Sequence, residues 1–467
     1  MKNARSLSKL SILSAVTFLF VTSCKREIKP FVSTTANAQA LVEPVLLSGI
    51  PGSNYVPNQL LMKFKLGTNP EIMNQFFVRI GATLNEKILT HAMVSAGDLN
   101  GVYLLNVQQE VYQVIERLKT MPEVAYAEPN FIYSHFATSN DGYFTGGNLW
   151  GMYSVSSSPS NGYGSGAADA WANGHTGSAD VYVGVIDEGM MYSHEDIKGN
   201  HWVNAKENPT NRKDDDGNGY KDDIYGWDFA GNNNTTFDGT ADDHGTHVSV
   251  TIGGIGGNGK GVAGVNWSIK MISAKFLGAS GGTTANAIKA VDYLTDLKTR
   301  QSLNIVATNN SWGGGGFSQS LKDAIDRGGA KEILFICAAG NSTLNIDVTP
   351  SYPASYTSSC IISVAAITSS GGLASYSNYG SISVDLGAPG SGIYSTIPAS
   401  KTASTYSSYS GTSMATPHVT GAAALYASIN PTATASDIKS AILNAVISNS
   451  NLTGKCGTGG NLFVGGF

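Results

Sequence analysis

Five apolar segments in the C-terminal part of the chain constrain its fold more than any other feature. They read VYVGVI, IKMISAKF, NIVATNN, EILFICAA and IISVAAI, and helices are predicted near residues 284–299, 318–328 and 413–429. Continuous apolar strands that alternate with helices are typical of an α/β fold, a parallel sheet covered by helices on both faces. In such sheets, functional side chains collect just beyond the carboxyl ends of the strands.

A smaller α+β domain is predicted ahead of this sheet, over residues 58–135. NQLLMKFKL alternates as a half-buried strand does, a helix is predicted near residues 71–80, and VYQVIERLK predicts a second, amphipathic helix. With strands in ATLNEKIL, GVYLLNV and EVAYAEP, the order β-α-β-β-α-β is that of the ferredoxin-like split motif. Its predicted core positions are Leu60, Met62, Phe64 and Leu66 on the first strand and Val111, Val114, Ile115 and Leu118 on the second helix.

The N-terminus predicts export. Three basic residues precede LSILSAVTFLFV, a run that is too short to span a membrane and of the right length for a secretory signal. The run ends in VTSC, so residues 1–23 resemble a bacterial lipoprotein signal that makes Cys24 the lipidated N-terminus. An ordinary signal peptide, cleaved elsewhere, is the alternative. Residues 24–57, rich in Ser, Thr, Ala and Pro, are predicted to be a tether, and residues 134–165 a linker.

Composition agrees with a secreted, loop-rich protein. Charged residues make up only 13% of the chain, so uncharged polar residues must supply much of its surface. The net charge is −5 and the sequence has no basic stripe, which argues against nucleic acid as a partner. Cys337, Cys360 and Cys456 allow at most one disulfide among themselves, and Cys337, inside ILFICAA, is predicted to be a buried core residue.

Two histidines, His244 and His247, stand in the segment DDHGTHV and are candidates for chemistry. As metal ligands they lack the glutamate and the four-residue spacing of the H-E-x-x-H helix. As a general base, one of them needs a carboxylate on one ring nitrogen and a nucleophile near the other. Asp187, directly after VYVGVI, is a carboxylate at a predicted strand end.

Two serines are candidate nucleophiles. Ser413 lies at the start of a predicted helix in SGTSMATPHVTG, where backbone N–H groups and the helix dipole favour negative charge, although Pro417 allows a kink or a later helix start. Ser280, in GASGG, matches the G-x-S-x-G nucleophile elbow of α/β-hydrolases. That alternative would leave His418 as the only histidine downstream of the nucleophile.

The segments GVIDEG, DHGTHV and SGTSMATPHVTG, in this order, resemble the three signature blocks of the subtilisin-like serine proteases. The resemblance extends over residues 145–467 and implies a peptidase domain in which Asp187 orients His244, the general base, and Ser413 is the nucleophile. It implies structural roles for His247 and His418. Asn341, in CAAGN, corresponds to the family's oxyanion donor.

The resemblance also implies partners. NNSWGGGG, with Ser311, Trp312, Gly313 and Gly314, is similar to the family's substrate-binding edge, and GASGG, with Gly281, to the opposite edge. An extended protein or peptide substrate would pair its backbone with both edges. Residues 58–135 resemble the family's propeptide, which acts as an intramolecular chaperone and inhibitor. The chain would reach a membrane only through a lipid anchor on Cys24, before processing.

The segment DDDGNGYKDD predicts a structural calcium site. Asp214, Asp216, Asn218 and Asp222 stand where a Ca²⁺ loop places ligands, but Tyr225 replaces the final glutamate of an EF-hand. A solvated acidic turn is the alternative.

The sequence therefore predicts an exported serine endopeptidase made as a self-processing zymogen. Two other functions stay open: a metallohydrolase that uses His244 and His247 with nearby acidic residues, and an inactive binding protein on a protease scaffold.

Overall fold

The computed structural model describes residues 55–131, 138–209 and 211–467. The chain divides between residues 132 and 133 into two compact units, each with its own apolar core. The predicted signal segment, Cys24 and most of the predicted tether lie outside the described residues. None of the described helices is long and apolar enough to cross a membrane.

The first unit is an antiparallel sheet with helices. Its strands are β1 (Tyr55–Phe64), β2 (Ala82–Ile88), β3 (Val102–Val107) and β4 (Val124–Phe131), and its helices are α1 (Pro70–Ile80), α2 (His91–Ser95) and α3 (Val111–Lys119). The strand order is β2-β3-β1-β4, with every neighbouring pair antiparallel. This is the predicted split β-α-β motif with one short helix, α2, added between β2 and β3.

Burial in the first unit follows the predicted alternation, with one exception. All four predicted core residues of α3 are buried, and so are Leu60, Met62 and Phe64 of β1. Leu66 was expected on the same face but is 86% exposed. The reason is that β1 ends at Phe64 and the chain turns at Gly67, whose φ of +82° lies in the left-handed region that favours glycine.

The second unit contains the mostly parallel sheet. Its strands are β5 (Gly177–Asp187), β6 (Gly226–Asp228), β7 (Ser268–Lys275), β8 (Ile305–Asn310), β9 (Leu334–Ala338), β10 (Ile361–Ile367), β11 (Leu386–Pro389), β12 (Ile393–Pro398), β13 (Ser404–Tyr409), β14 (Ile447–Ser448) and β15 (Gly460–Asn461). Its helices are α4 (Gly142–Thr145), α5 (Ala167–Ala172), α6 (Asp243–Gly253), α7 (Thr284–Gln301), α8 (Gln319–Gly329), α9 (Thr412–Ile429) and α10 (Ala435–Asn444). The sheet order is β14-β15-β11-β10-β9-β8-β5-β7-β6, and β12 and β13 form a separate hairpin.

Helices cover both faces of this sheet, as the apolar segments predict. Gly184 of β5 lies so close to α7 that a Cβ there would overlap Leu294. On the neighbouring strand, Asn309 is level with the next residue of β5, and its Oδ1 accepts a hydrogen bond from Thr420 of α9 at 3.1 Å. Because successive side chains of a strand point to opposite faces, α7 and α9 lie on opposite sides of the sheet.

Helix α9 runs through the centre of the second unit and packs closely there. Most of its residues from Thr412 to Ala424 are buried, and Pro417 lies within the helix rather than ending it. A Cβ at Gly421 would lie 2.6 Å from the Cβ of Val265, so the glycine permits this close approach. Cys337, Cys360 and Cys456 are free and buried, which confirms the core position predicted for Cys337.

Residues 138–165, expected to be part of a linker, belong to the core of the second unit. Phe144, Trp150 and Tyr153 are buried, and the Tyr153 hydroxyl donates to the carbonyl oxygen of Phe144 at 2.6 Å. The carboxylate of Asp141 accepts backbone hydrogen bonds from the loop at residues 257–260. The linker prediction was wrong here because it considered the Ser, Asn and Gly content of the segment and not the spaced aromatic residues that anchor it.

Candidate active site

Three of the predicted site residues stand at the carboxyl ends of neighbouring strands of the parallel sheet. Asp187 is the last residue of β5, and Ser311 directly follows β8. The parallel register pairs Val185 with Asn309, which puts Asp187 level with Ser311 two residues further on. Asn341 follows β9, the next strand of the sheet. The carboxyl edge is where α/β sheets carry their functional residues.

Asp187 holds the ring of His244. Its Oδ1 is 2.9 Å from Nδ1 of His244 and also accepts the N–H of Glu188 at 2.8 Å. Asp187 is buried, whereas the side chain of His244 is 28% exposed. With Nδ1 engaged, Nε2 is the ring nitrogen left to exchange a proton with a nucleophile.

Three carboxylates determine the charge of His244. Burial lowers the pKa of the His244 ring, but Asp187, Glu188 and Asp243 together outweigh this and raise the pKa above its ordinary value. Glu188 also contacts the histidine directly, because its Oε1 accepts the backbone N–H of His244 at 2.6 Å. Sequence reasoning missed Glu188, although it directly follows Asp187.

Ser413 is the second residue of α9 and is bound reciprocally to Ser311. The Ser413 hydroxyl donates to the carbonyl oxygen of Ser311 at 3.1 Å, and the Ser311 hydroxyl donates to the carbonyl oxygen of Ser413 at 2.8 Å. The second bond has a backbone cause: Pro417 has no N–H, so the carbonyl of Ser413 lacks its helical partner. Ser311 supplies that partner and fixes the first turn of α9.

Asn341 presents its amide group beside the start of α9. Its Oδ1 accepts hydrogen bonds from the N–H of Thr412 at 2.9 Å and from the Thr412 hydroxyl at 3.0 Å. This fixes the orientation of the amide and leaves Nδ2 as its donor. The N–H of Ser413 belongs to the first turn, where helix N–H groups have no intrahelical acceptor. A Cβ on the neighbouring Gly411 would lie 3.4 Å from Nδ2 of Asn341 and 3.6 Å from the backbone nitrogen of Ser413, so the two donors flank one position at the start of α9.

His247 and His418, the other two histidines of the predicted motifs, have buried and packed rings. His247 is fully buried, stacks on Tyr409 with ring centroids 4.6 Å apart, and its Nε2 is 3.0 Å from the carbonyl oxygen of Ile393. Burial lowers the pKa of His247 to about 3 and that of His418 to about 4. Nδ1 of His418 is 2.9 Å from the carbonyl oxygen of Met414 in its own helix. These contacts suit structural roles.

The geometry disfavours the two alternative sites. Ser280 lies in an exposed turn closed by hydrogen bonds between Gly278 and Gly281, and not at a strand-to-helix elbow. His418, its required base, is buried in α9. Within the described residues, the one group of three metal-ligating side chains that converge contains no histidine.

A cleft passes between the two predicted substrate-binding edges. A cavity of about 380 Å³ is bounded by Gly281 and Gly282 on one side and by Trp312, Gly313 and Gly314 on the other. A second cavity, of about 210 Å³, reaches Ser413 and Asn341. Its remaining walls carry no charged side chain: Trp312, Gly313, Gly314, Ala338, Gly340, Ser342, Ser351, Asn378 and Thr412. Ser311, the fourth residue predicted for this edge, lines neither cavity and instead donates its hydroxyl to the carbonyl oxygen of Ser413.

The acidic loop gathers a different carboxylate set from the predicted one. Oxygens of Glu207, Asp216 and Asp223 lie within 4.8 Å of one another. Of the four predicted ligands, Asp216 belongs to this cluster, and Asn218 donates its amide to Asp223 at 2.9 Å. Asp214 accepts the backbone N–H groups of Asn218 and Gly219, and Asp222 accepts that of Arg212, so both brace the loop itself.

A buried ion pair fastens the helix that carries His244 to the sheet. Nζ of Lys275, at the end of β7, lies 2.6 Å from Asp242 and 2.7 Å from Asp238. Asp242 immediately precedes α6, and both Lys275 and Asp242 are nearly inaccessible. Sequence reasoning missed this pair; the signal was the second lysine of the apolar segment IKMISAKF, next to its end.

Family models, related sequences and a solved structure all point to the same class of protein. Residues 178–459 match the model of the subtilase family, and residues 46–130 match that of the fervidolysin N-terminal prodomain. The chain is 30% identical to the thermophilic serine proteinase of Bacillus sp. (strain AK1) over 407 residues, which cover 85% of this chain and 86% of that protein. It is 37% identical over 198 residues to an extracellular protease of Xanthomonas campestris pv. campestris, which covers 41% of this chain and 33% of that protein. Among solved structures, a protease from Pseudoalteromonas arctica PAMC 21717 superimposes with a TM-score of 0.56 and 26% identity, covering 70% of this chain and 98% of that chain.

Replacing Lys275 should destabilise the second unit strongly. Lys275→Met leaves Asp242 as a buried charge without its cation, at an expected cost of about 3–5 kcal/mol in the free energy of unfolding. Urea unfolding of the full-length chain measures this cost. Both variants carry Ser413→Ala as well, so that the predicted nucleophile is absent and the chain stays at full length. Lys270→Met, on the same strand, is the control, because Lys270 is only partly buried and donates to a loop carbonyl at Gly199. Equal losses in the two variants would contradict the role given to the ion pair.

Proposed function

The chain belongs to the subtilase family of serine endopeptidases, and on this premise we propose that Asp187, His244 and Ser413 are its catalytic triad. The observation that carries the proposal is the 2.9 Å contact between Asp187 and Nδ1 of His244, at the sheet edge where Ser311 holds Ser413 by two hydrogen bonds. In this assignment, Ser413 attacks the scissile carbonyl while His244 takes its proton and later delivers it to the leaving amine. Asp187 fixes the tautomer of His244 and stabilises the imidazolium.

Asn341 and the N–H of Ser413 are the proposed oxyanion donors. The contact between Asn341 Oδ1 and Thr412 supports this, because it holds Nδ2 ready before the reaction begins. Preorganised donors stabilise the charge of the tetrahedral intermediate without reorganisation during the reaction. In subtilisin, loss of the corresponding asparagine costs about 10²–10³-fold in kcat.

The proposed substrates are extended segments of proteins or peptides. The glycine-lined edges support pairing of a substrate backbone along the cleft. The cavity beside Ser413 would receive the side chain that precedes the scissile bond. Because its walls carry neutral hydroxyl, amide and apolar groups, we expect uncharged side chains there.

The first unit is a prodomain of the fervidolysin type, and we propose that it is an inhibitory propeptide that the chain itself removes. The described residues support a compact domain whose last strand, β4, ends at Phe131, and we place the processing cleavage downstream of it, near residues 134–145. Export is supported by the N-terminal signal and by a relative named as an extracellular protease. A lipid on Cys24 would then belong to the part of the precursor that processing removes.

Calcium is the proposed occupant of the acidic loop, held by Glu207, Asp216 and Asp223. Three carboxylates within 4.8 Å repel one another, and burial raises the pKa of Asp223 to about 7. A hard divalent cation that prefers oxygen ligands would neutralise this repulsion. Its role would be structural, because it would tie the loop that follows Asn204 to α7 through Tyr293, whose hydroxyl donates to Asp223 at 2.6 Å.

Ser413 should be the serine that a fluorophosphonate labels. Ser413→Ala should abolish labelling and proteolysis and leave the precursor at full length, whereas Ser280→Ala should remain active. His244→Ala should lower kcat by about 10⁴-fold or more, because the general base is lost. His247→Ala is the matched control: it should lower the melting temperature but not the turnover of the folded fraction. A label on Ser280, or equal kinetic losses in the two histidine variants, would refute the assignment.

Processing should release the enzyme from the membrane. Lipidated N-terminal cysteines that carry two or more acyl chains anchor stably, so the precursor should fractionate with membranes and the mature enzyme with the soluble fraction. Ser413→Ala should stay on the membrane at full length, and Cys24→Ala should release the precursor as well. Immunoblots of fractionated cells, with an antibody to residues 145–467, measure both. A mature enzyme on the membrane would contradict release by self-processing.

Chelation of calcium should lower the melting temperature without changing the catalytic groups. A ligand at 100 times its Kd that binds only the folded state adds about 2.7 kcal/mol of stability. Calorimetry of the Ser413→Ala chain in calcium and in chelator measures the difference. Glu207→Gln should remove most of it, whereas Asp180→Asn, on an exposed position, should preserve it. Identical melting curves in calcium and chelator would leave the acidic loop as a solvated turn.

A further inference from the structure

Two successive carboxylates at the end of β5 hold His244 from different sides. Asp187 binds the ring at Nδ1, and Glu188 accepts the backbone N–H of the same residue at 2.6 Å. The backbones of the two segments meet closely enough for this. Gly189 has a φ of +126°, and a Cβ at Gly245 would overlap the carbonyl oxygen of Gly189. Glycine at both positions therefore brings the end of β5 against the first turn of α6.

Glu188 also compensates for a missing cap. Asp242, the residue that precedes α6, makes no side-chain cap hydrogen bond because its carboxylate is committed to Lys275 and to the N–H of Asp238. The first turn of a helix has N–H groups without acceptors, and it favours negative charge. Glu188 supplies an acceptor and a charge from outside the helix, at the N–H of His244.

The groups that face Glu188 include the His244 ring, so the charge of Glu188 affects the pKa of that ring. They are the preceding Asp187 at the end of β5, His244 and Asp243 on α6, and Tyr409 on β13. Asp243 is engaged by the Tyr409 hydroxyl. Burial, then the charge of Asp187, raises the pKa of Glu188, while His244 lowers it. Glu188 and the His244 ring thus stabilise each other's charged forms.

We propose that Glu188 is a positioning residue of the catalytic centre, which fixes the backbone of His244 and stabilises its protonated ring. The inference rests on the proposed function, in which His244 is the general base. The base must be neutral to accept the proton of Ser413, and it becomes an imidazolium as the reaction proceeds. The charge of Glu188 therefore delays deprotonation of the free enzyme as pH rises, and it stabilises the ring once it has taken the proton.

The sign of the effect follows from this. A carboxylate near His244 raises the pKa of its ring, so activity appears at higher pH than it would without Glu188. Glu188→Gln keeps an oxygen acceptor for the N–H but removes the charge. In this variant, the rise of activity with pH on the acid side (the acid limb) should move to lower pH. The maximal activity reached above it (the plateau) should fall, because the imidazolium loses a stabilising charge.

The test measures the acid limb in two ways, with enzyme produced from full-length chains. One is the rate of inactivation by a fluorophosphonate, and the other is kcat/KM for a peptide p-nitroanilide, both followed against pH. Glu188→Gln should lower the midpoint of the acid limb by about one pH unit. Glu188→Asp, which keeps the charge, should retain the wild-type midpoint. Asp323→Asn, an exposed change of the same charge on α8, should change neither midpoint nor plateau.

The outcomes distinguish the role of Glu188 from the proposed peptidase function. An unshifted midpoint in Glu188→Gln, or an equal shift in Glu188→Asp, would overturn the role of Glu188. If Glu188→Gln does not mature, an NMR titration of His244 in the full-length Ser413→Ala chain, with and without Glu188→Gln, must show the same downward shift or the inference fails. A wild-type enzyme that neither reacts with the fluorophosphonate nor hydrolyses peptides would instead refute the proposed function.

Discussion

The parallel pairing of β5 with β8 is the constraint on which the site depends. It puts Asp187 and Ser311 at one level of one sheet edge, and each then fixes the start of a helix. Asp187 meets His244 in α6, and Ser311 exchanges hydrogen bonds with Ser413 in α9. A slip of one residue in this register would move one pair relative to the other by about 3.3 Å, more than the length of a hydrogen bond. Every residue of β8 is buried, and so are the last five of β5, so such a slip would displace side chains that are packed on both faces of the sheet.

The two helix starts are stabilised by groups that helices normally supply themselves. In α9, Pro417 removes a backbone donor, and the hydroxyl of Ser311 replaces it. In α6, the preceding Asp242 is bound to Lys275, and Glu188 provides the acceptor. In both cases the substitute comes from the carboxyl end of a strand. The sheet therefore fixes the first turn of each helix, and with it the backbone of His244 and of Ser413.

The sequence allowed the fold and the family to be predicted, because long apolar strands and ordered motifs are local signals. It failed where the partner of a residue is a distant backbone atom. The acceptor role of Glu188 is of this kind, since its partner N–H lies 56 residues further along the chain. In the acidic loop, Asp222 has a φ of +52° and turns its carboxylate to Arg212, which leaves the adjacent Asp223 facing the cluster. The spacing of acidic residues in the sequence does not show that Asp223, and not Asp222, faces the cluster.

The glycine-lined cleft has a consequence for which proteins the enzyme can attack. Edges built from Gly281, Gly282, Gly313 and Gly314 expose main chain, and main chain recognises conformation more than side-chain identity. If substrates pair with these edges as proposed, a segment must leave its own secondary structure before it can be cut. Susceptibility would then depend on the free energy of local unfolding in the target, so that frayed termini and loose loops would be cut before well-packed domains.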